Sequence, residues 1–199
     1  MARSTREGVA AAFALCAFSA LMTAGCTDRH ESGERAAGEH AGEDFSVYDL
    51  NSKWQDQAGT ARTLSSLRGR PQVLALIYTT CTAICPMTVS AMQEVESKAG
   101  PAAGFVLVSM DPERDSPARL AEYAKQRKLS PRWTLLSGGP SAVRELAAVL
   151  GVKYRSVSPT EIVHTSALTI LDANGRRAAQ YSETDAVDRA VRALQQLPR

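Results

Sequence analysis

The sequence has almost no excess charge: 23 Lys and Arg stand against 21 Asp and Glu, a formal net charge of +2. No basic run occurs anywhere in it. Binding to nucleic acid needs a concentrated basic face, so nucleic acid is excluded as a partner. The apolar run at the N-terminus, residues 9–22, is too short and too Ala-rich to make a good membrane-spanning helix. There is no internal repeat and no sign of a second domain. At 199 residues the chain suits one domain with a sizeable core plus extra segments. Cysteine and histidine are scarce, with 4 and 3 residues, so each one matters to the argument.

What is present begins with an address. Arg3 and Arg6 make a positive start, residues 9–22 an apolar run, and Thr23-Ala24-Gly25-Cys26 a small-residue junction. This is the pattern of a secretory signal. Small residues immediately before Cys26 resemble the lipobox of bacterial lipoproteins, in which the Cys becomes the lipidated first residue. Thr23 stands where Leu is commoner. An ordinary cleaved signal, with Cys26 free or removed, is the alternative. The expectation is a signal peptide over residues 1–25, a lipidated Cys26 opening a flexible tether over 26–44, and one domain over 45–199. The protein then sits on the periplasmic side of a bacterial cell envelope, held to the membrane by its lipid. His30 and His40 fall in the tether and read as solvated linker residues.

The address changes the cysteine arithmetic. Cys16 leaves with the signal and Cys26 is consumed by lipid. Cys81 and Cys85 are the thiols that remain, in a compartment that oxidises thiols. Left alone they become a disulfide, so they must be re-reduced or hold metal to serve as ligands.

These two thiols sit in the stretch around which the chain is organised. Residues 73–78 form an apolar run that reads as a buried strand. Cys81 and Cys85 follow with three residues between them, and Pro86 opens a helical pattern. Cys85 then lies at a helix N-terminus, where thiolate is favoured over thiol. A thiolate is both a nucleophile and a soft-metal ligand. A redox dithiol and a metal site are the two sharp readings, and two buried cysteines packed as small hydrophobes the bland one.

Along the rest of the chain, residues 45–50 alternate as a strand would, and residues 57–60 make a turn with a possible hairpin partner. Residues 64–71 form a short turn or helical piece. Met87, Ala91, Met92 and Val95 recur at helical spacing as an inner face; the methionines read as core filler rather than as copper ligands. Residues 105–110 are a second buried strand, giving a βαβ unit. Ser116 and Pro117 open a helix, residues 133–136 a strand, and residues 140–150 a helix stopped by Gly151. Residues 153–157 are extended. Residues 166–171 and 176–181 flank Asp172-Ala173-Asn174-Gly175, a hairpin signal. Thr184 caps a final helix. The order of elements is the thioredoxin-like plan, an α/β fold, here with an N-terminal hairpin extension. In that plan the loop before the last hairpin faces the cysteine loop. His164 occupies that loop, where thiol oxidoreductases of the fold carry a cis-proline. Asp111 and Asp115, at the end of the second strand, lie on the same sheet edge. They either tune the site from outside its ligands or serve as helix caps and partners of Arg114.

These motifs resemble the SCO/SenC family, copper-binding assembly factors of cytochrome c oxidase. The resemblance runs from about Phe45 to the C-terminus. It rests on Tyr78-Thr79-Thr80-Cys81 with Cys85-Pro86, on Asp111-Pro112-Glu113-Arg114-Asp115, and on Val163-His164-Thr165-Ser166 before the Asp172 turn. It implies one copper ion, as Cu(I) or Cu(II), held by Cys81, Cys85 and His164. Delivery would be to cytochrome c oxidase subunit II, for its Cu(A) site, or to another cuproprotein. A periplasmic thiol reductase or a copper donor would be further partners. Thr82-Ala83 stands where the family commonly has Pro-Asp, and Val163 where it commonly has Asp. Two thiolates and an imidazole independently suit copper, whereas structural zinc wants a fourth ligand that is missing. The rival reading is a thiol-disulfide reductase using Cys81 and Cys85, which the absence of the cis-proline and the wide spacing disfavour.

Overall fold

Strand β3 (Gln72–Ile77) is buried at every position, and so is β4 (Gly104–Ser109). Such unbroken apolar runs suit parallel strands covered on both faces. In the computed structural model, which describes residues 45–158, 161–182 and 186–198, these two strands form the centre of a seven-stranded sheet. All of these residues belong to one compact unit, Gly38–Arg199. With β1 (Trp54–Asp56), β2 (Ala61–Arg62), β5 (Trp133–Gly138), β8 (Leu168–Leu171) and β9 (Arg177–Tyr181), the strand order is β2-β1-β5-β4-β3-β8-β9. Strands β3, β4 and β5 run parallel, and β8 and β9 return as an antiparallel hairpin beside β3. This is the thioredoxin-like arrangement, and β1 with β2 is its N-terminal hairpin, closed around the turn at residues 57–60.

Helix α1 (Ile84–Ala99) connects β3 to β4, and α2 (Pro117–Gln126) connects β4 to β5. A right-handed crossover places both on one face, and Gln93 Nε2 of α1 donates to the Arg127 carbonyl at the end of α2 (2.9 Å). Helix α4 (Ala186–Gln196) packs on the other side of α1. Ser116 caps α2 with Pro117 at its first position, and α3 (Pro140–Val149) ends before Gly151, which takes φ 67°. Residue 184, expected as the cap of α4, lies outside the described residues.

Four expectations are corrected. Residues 45–50 do not form a strand: Ser46 makes a single bridge to Arg176, and Val47–Asp49 is a 3-10 turn. Ser46 Oγ accepts the Tyr48 N–H (3.1 Å), and the neighbours Val47 and Tyr48 are both buried, so the segment does not have the one buried face that its alternation suggested. Helix α1 starts at Ile84, two residues before Pro86, whose missing N–H is still among the unpaired first-turn donors. Met92 and Val95 face the core, but Met87 is 56% exposed. His164 does not sit in an open loop: it ends a strand, β7 (Glu161–His164), which pairs with β6 (Tyr154–Ser158) in a separate ribbon.

The chain entry and the cysteines lie at opposite ends of the sheet. Ser46 meets the Asn174 carbonyl and Arg176 at the turn between β8 and β9, and Leu171 of β8 pairs with Gln72. The chain therefore enters the sheet at the Gln72 end of β3. The cysteines follow the Ile77 end, about 17 Å away at strand rise.

Candidate metal centre

Three segments meet beyond Ile77. The first carries Cys81 and Cys85 from β3 into α1. The second is the Asp111–Asp115 loop, aligned with it by the β3–β4 register, in which Ile77 pairs with Ser109 and the Met110 N–H reaches the Ile77 carbonyl (2.8 Å). The third is the ribbon that ends in His164, tied down by the Thr165 N–H to the Lys153 carbonyl (2.8 Å). A bond between the Thr88 and Ser166 hydroxyls (3.1 Å) joins α1 to the histidine loop.

Cys85 is buried and Cys81 half-buried, and both are free thiols. Cys85 Sγ lies 3.8 Å from His164 Nε2. The other ring nitrogen, Nδ1, stands 3.3 Å from the Thr165 carbonyl oxygen. A carbonyl can only accept, so Nδ1 carries the proton in the neutral ring and Nε2 turns its lone pair to the sulfur. Burial holds the His164 pKa below its ordinary value, against the opposing Thr165 contact.

The two thiols differ in the sense opposite to expectation. Burial pushes Cys85 up to about 12, and the neighbouring Cys81 and Asp115 charges add to the rise. Burial also raises Cys81, but the Cys85 N–H, the Cys85 thiol, the Ala83 N–H and the Tyr78 hydroxyl outweigh it, and Cys81 ends below the ordinary thiol value. The cause is geometric: Cys81 Sγ accepts the Cys85 N–H at 3.4 Å. The start of α1 has no capping side chain at Ala83, so the sulfur one turn earlier takes the helix's N-terminal field.

Asp115 is wholly buried and accepts three hydrogen bonds: from the Thr79 N–H (3.0 Å), the Thr79 hydroxyl (2.5 Å) and the Ser109 hydroxyl (2.6 Å). Arg119 Nε donates to the same Thr79 hydroxyl (3.2 Å). Asp115 thus fixes the backbone two residues ahead of Cys81. Asp111 instead pairs with Arg114 (2.5 Å) and closes its own loop. Replacing Asp115 with Ala strands three donors, and is expected to destabilise the fold by about 3 kcal/mol. Urea unfolding with an unchanged m-value measures it; a loss below about 0.5 kcal/mol would remove Asp115 from this role.

Tyr78 opens the Tyr78-Thr79-Thr80-Cys81 motif but is not among the site residues expected from the sequence. Its ring meets His164 edge-on, with centroids 6.2 Å apart, and its hydroxyl reaches Cys81. The one available signal was its position three residues before Cys81 at the end of a buried strand. Cys26 lies outside the described residues. Among the described residues no three His, Cys, Asp or Glu side chains stand as a closed metal-ligating group, and no helix is long and apolar enough to cross a membrane.

Comparison with known proteins bears on the family and the fold. The model of the SCO1/SenC family matches residues 37–199. The chain is 26% identical over 136 residues to the SCO1 protein homolog of Bacillus subtilis, covering 65% of this chain and 70% of that protein. Its fold is similar to that of ScoI from Bradyrhizobium japonicum, solved with copper bound (TM-score 0.64, 26% identity, 74% of this chain and 97% of that one). It is also similar to BsSco, described as carrying a disulfide switch and as a member of the Sco family of cytochrome c oxidase assembly proteins (TM-score 0.62, 25% identity, 73% and 92% covered). The chain belongs to the SCO1/SenC family.

Proposed function

We propose that this protein is a copper metallochaperone that holds one copper ion on Cys81, Cys85 and His164. It passes the ion by ligand exchange to cytochrome c oxidase subunit II or another cuproprotein. The observation that carries the reading is the 3.8 Å gap between Cys85 Sγ and His164 Nε2. Metal–sulfur and metal–imidazole bonds of about 2.3 and 2.0 Å meeting at about 120° span about 3.7 Å. The pair is therefore spaced for trigonal ligation, and Cys81 completes the set by releasing the Cys85 N–H and turning its sulfur inward. Copper binding in the Bradyrhizobium relative supports the choice of metal, and two thiolates with one imidazole suit it chemically. The test is metal analysis of the reduced protein, with Cu(I) and Cu(II) offered separately. One copper per chain is expected, lost when Cys81 and Cys85 are both replaced with Ser; equal loading of that variant would overturn the assignment.

A second reading has its own support. A half-buried Cys81 with a lowered pKa beside a buried Cys85 is suited to attack a disulfide and be resolved by its neighbour. Freeing a target's cysteines and then loading them with copper are successive steps, so the two activities are compatible in one site.

The chain is placed on the periplasmic side of the membrane by a lipid on Cys26, followed by the tether over residues 26–44. The small residues Ala24-Gly25 before Cys26 support this. Ser46 joins the sheet at its Gln72 end, the pole opposite the cysteines. Replacing Cys26 with Ser is expected to move the protein from the membrane fraction to the soluble fraction. Retention in the membrane would end the lipoprotein assignment.

A further inference from the structure

The first turn of α2 breaks a local rule. A helix N-terminus carries partial positive charge and favours acidic side chains. The first turn of α2 has none, and places Arg119 there instead. The half-exposed guanidinium has two partners. Arg119 Nη1 pairs with Glu122 one turn on (3.2 Å), and Nε donates to the hydroxyl of the buried Thr79 (3.2 Å). Departures of this kind gather at functional sites, and Thr79 stands two residues before Cys81.

Hydrogen-bond chemistry sets the direction of every link from there. An Arg N–H can only donate, so the Thr79 hydroxyl accepts from Arg119 and turns its own proton to Asp115 Oδ1 (2.5 Å). A second chain of the same form reaches the other carboxylate oxygen. The Asp111 N–H donates to the Ser109 hydroxyl (2.9 Å), which donates to Asp115 Oδ2 (2.6 Å). The Thr79 N–H also donates to Oδ2 (3.0 Å). Among the described residues no Lys or Arg pairs with Asp115 directly; Arg119 reaches it through one hydroxyl. Thr79 lies inside a turn that closes with the Cys81 N–H on the Tyr78 carbonyl (3.2 Å). Cys81 Sγ then accepts the Cys85 N–H (3.4 Å). One sulfur of the pair is therefore carried on a turn held from α2, and the other on α1.

We propose that Arg119, acting through the Thr79 hydroxyl, is a positioning residue for the dithiol, holding the Cys81 turn so that its sulfur stays within reach of Cys85. What it supplies is pre-organisation. A fixed turn removes the chain freedom that the meeting of the two sulfurs would otherwise have to overcome. Small displacements of reacting atoms cost large factors in rate. Arg119 therefore acts on the step in which the two sulfurs meet, and not on the step in which one sulfur meets an outside molecule. This inference rests on the reading of Cys81 and Cys85 as a working pair. Its test uses no copper, so a failure of copper binding would overturn the ligand reading and leave this one standing.

The full chain carrying Cys16→Ser and Cys26→Ser keeps Cys81 and Cys85 as its thiols. The reduced protein is mixed with the symmetric disulfide of thionitrobenzoate as oxidant. Cys81, the more exposed sulfur, attacks first. A Cys81–thionitrobenzoate disulfide forms, the oxidant's disulfide breaks, and one coloured thionitrobenzoate leaves with the electron pair. Cys85 then attacks Cys81 Sγ, the Cys81–Cys85 disulfide forms, and a second thionitrobenzoate leaves; both thiol protons go to solvent. The first phase scales with oxidant concentration and the second does not, so one trace separates them. Arg119→Met removes the donor and leaves all three hydrogen bonds to Asp115 in place. It is expected to slow the second phase about tenfold and to change the first by less than about twofold. Thr79→Val should slow the second phase likewise, and Thr79→Ser should keep the wild-type rate. Arg119→Met combined with Thr79→Val should be no slower than Thr79→Val alone, because Arg119 acts through that hydroxyl. If Thr79→Val does not fold, Arg119→Met and Thr79→Ser decide by themselves. An unchanged second phase in Arg119→Met, equal slowing of both phases, or a Thr79→Ser protein as slow as Arg119→Met would overturn the proposal. So would effects that multiply in the double variant.

Discussion

Oxidation of Cys81 and Cys85 to a disulfide is expected to lower Cu(I) affinity by at least about a thousandfold, or about 4 kcal/mol. Reduction should restore it in full. Of the three proposed ligands two are sulfurs, and a disulfide sulfur has no thiolate charge to donate. His164 alone then remains, and one imidazole does not hold Cu(I) against competing ligands. The pair is placed to make this switch: the thiols are free, and Cys81 Sγ already rests 3.4 Å from the Cys85 backbone nitrogen. Closing the bond takes an added two-electron oxidant, such as a small-molecule disulfide that the Cys81 thiolate attacks to release one thiol and Cys85 then resolves to release the other. Competition against a Cu(I) chelator, with the thiol count confirmed before each titration, makes the measurement. Full-strength binding by the oxidised protein would show that these sulfurs are not the ligands. In an oxidising compartment the same chemistry implies a partner that keeps the pair reduced.

Much of the fold was legible because its signals are local. The buried runs that became β3 and β4, the Ser116-Pro117 start of α2 and the Asp172–Gly175 hairpin turn each depend on a few adjacent residues. What was missed depends on distant ones. Residues 45–50 alternate like a strand, but Gly175 leaves just enough room for Tyr48, whose ring atoms would lie 2.5 Å from an added Cβ there. The segment folds onto that turn instead. Strand β7 was overlooked because its partner β6 is polar and exposed through its centre, so neither carries the burial pattern that marks a sheet strand. The pairing of Tyr154–Ser158 with Glu161–His164 was available as a signal in the β-branched and aromatic residues of the two segments.

The site was legible as a set of residue types and illegible in its electrostatics. Cysteine at a helix start correctly signalled a field that favours thiolate. Which sulfur receives it depended on where α1 begins, and a shift of two residues moved the benefit from Cys85 to Cys81. Met87 was assigned inward on spacing alone, yet the buried stripe of α1 is Cys85, Thr88, Val89, Met92 and Val95. That stripe leaves Met87 exposed. Asp111 and Asp115 are alike in sequence and differ in structure, because Asp115 alone is turned under Thr79.

Replacing His164 with Ala is expected to weaken copper binding by about tenfold or more, an effect of about 1.4 kcal/mol, while dithiol exchange changes much less. The asymmetry follows from what each activity requires. A thiol exchanger needs two sulfurs and one lowered pKa, and Cys81 owes its lowering to the start of α1 and to Tyr78 rather than to the imidazole. A copper site needs the third donor, since two thiolates leave the ion open to competitors. His164 Nε2 is the ring atom directed at Cys85 Sγ, with Nδ1 occupied by the Thr165 carbonyl. The pH profile supplies a second readout with a definite sign. Only the neutral ring ligates, and burial lowers the His164 pKa below that of an ordinary imidazole. Affinity attributable to the imidazole should therefore be lost as pH falls, at a lower pH than an ordinary histidine would set. That step should be missing from the Ala variant. Chelator competition and the rate of reduction of a model disulfide, measured on the same protein, decide between the two activities. Unchanged copper affinity together with a collapsed reduction rate would make the reductase the principal function and leave His164 as a residue that positions the thiols.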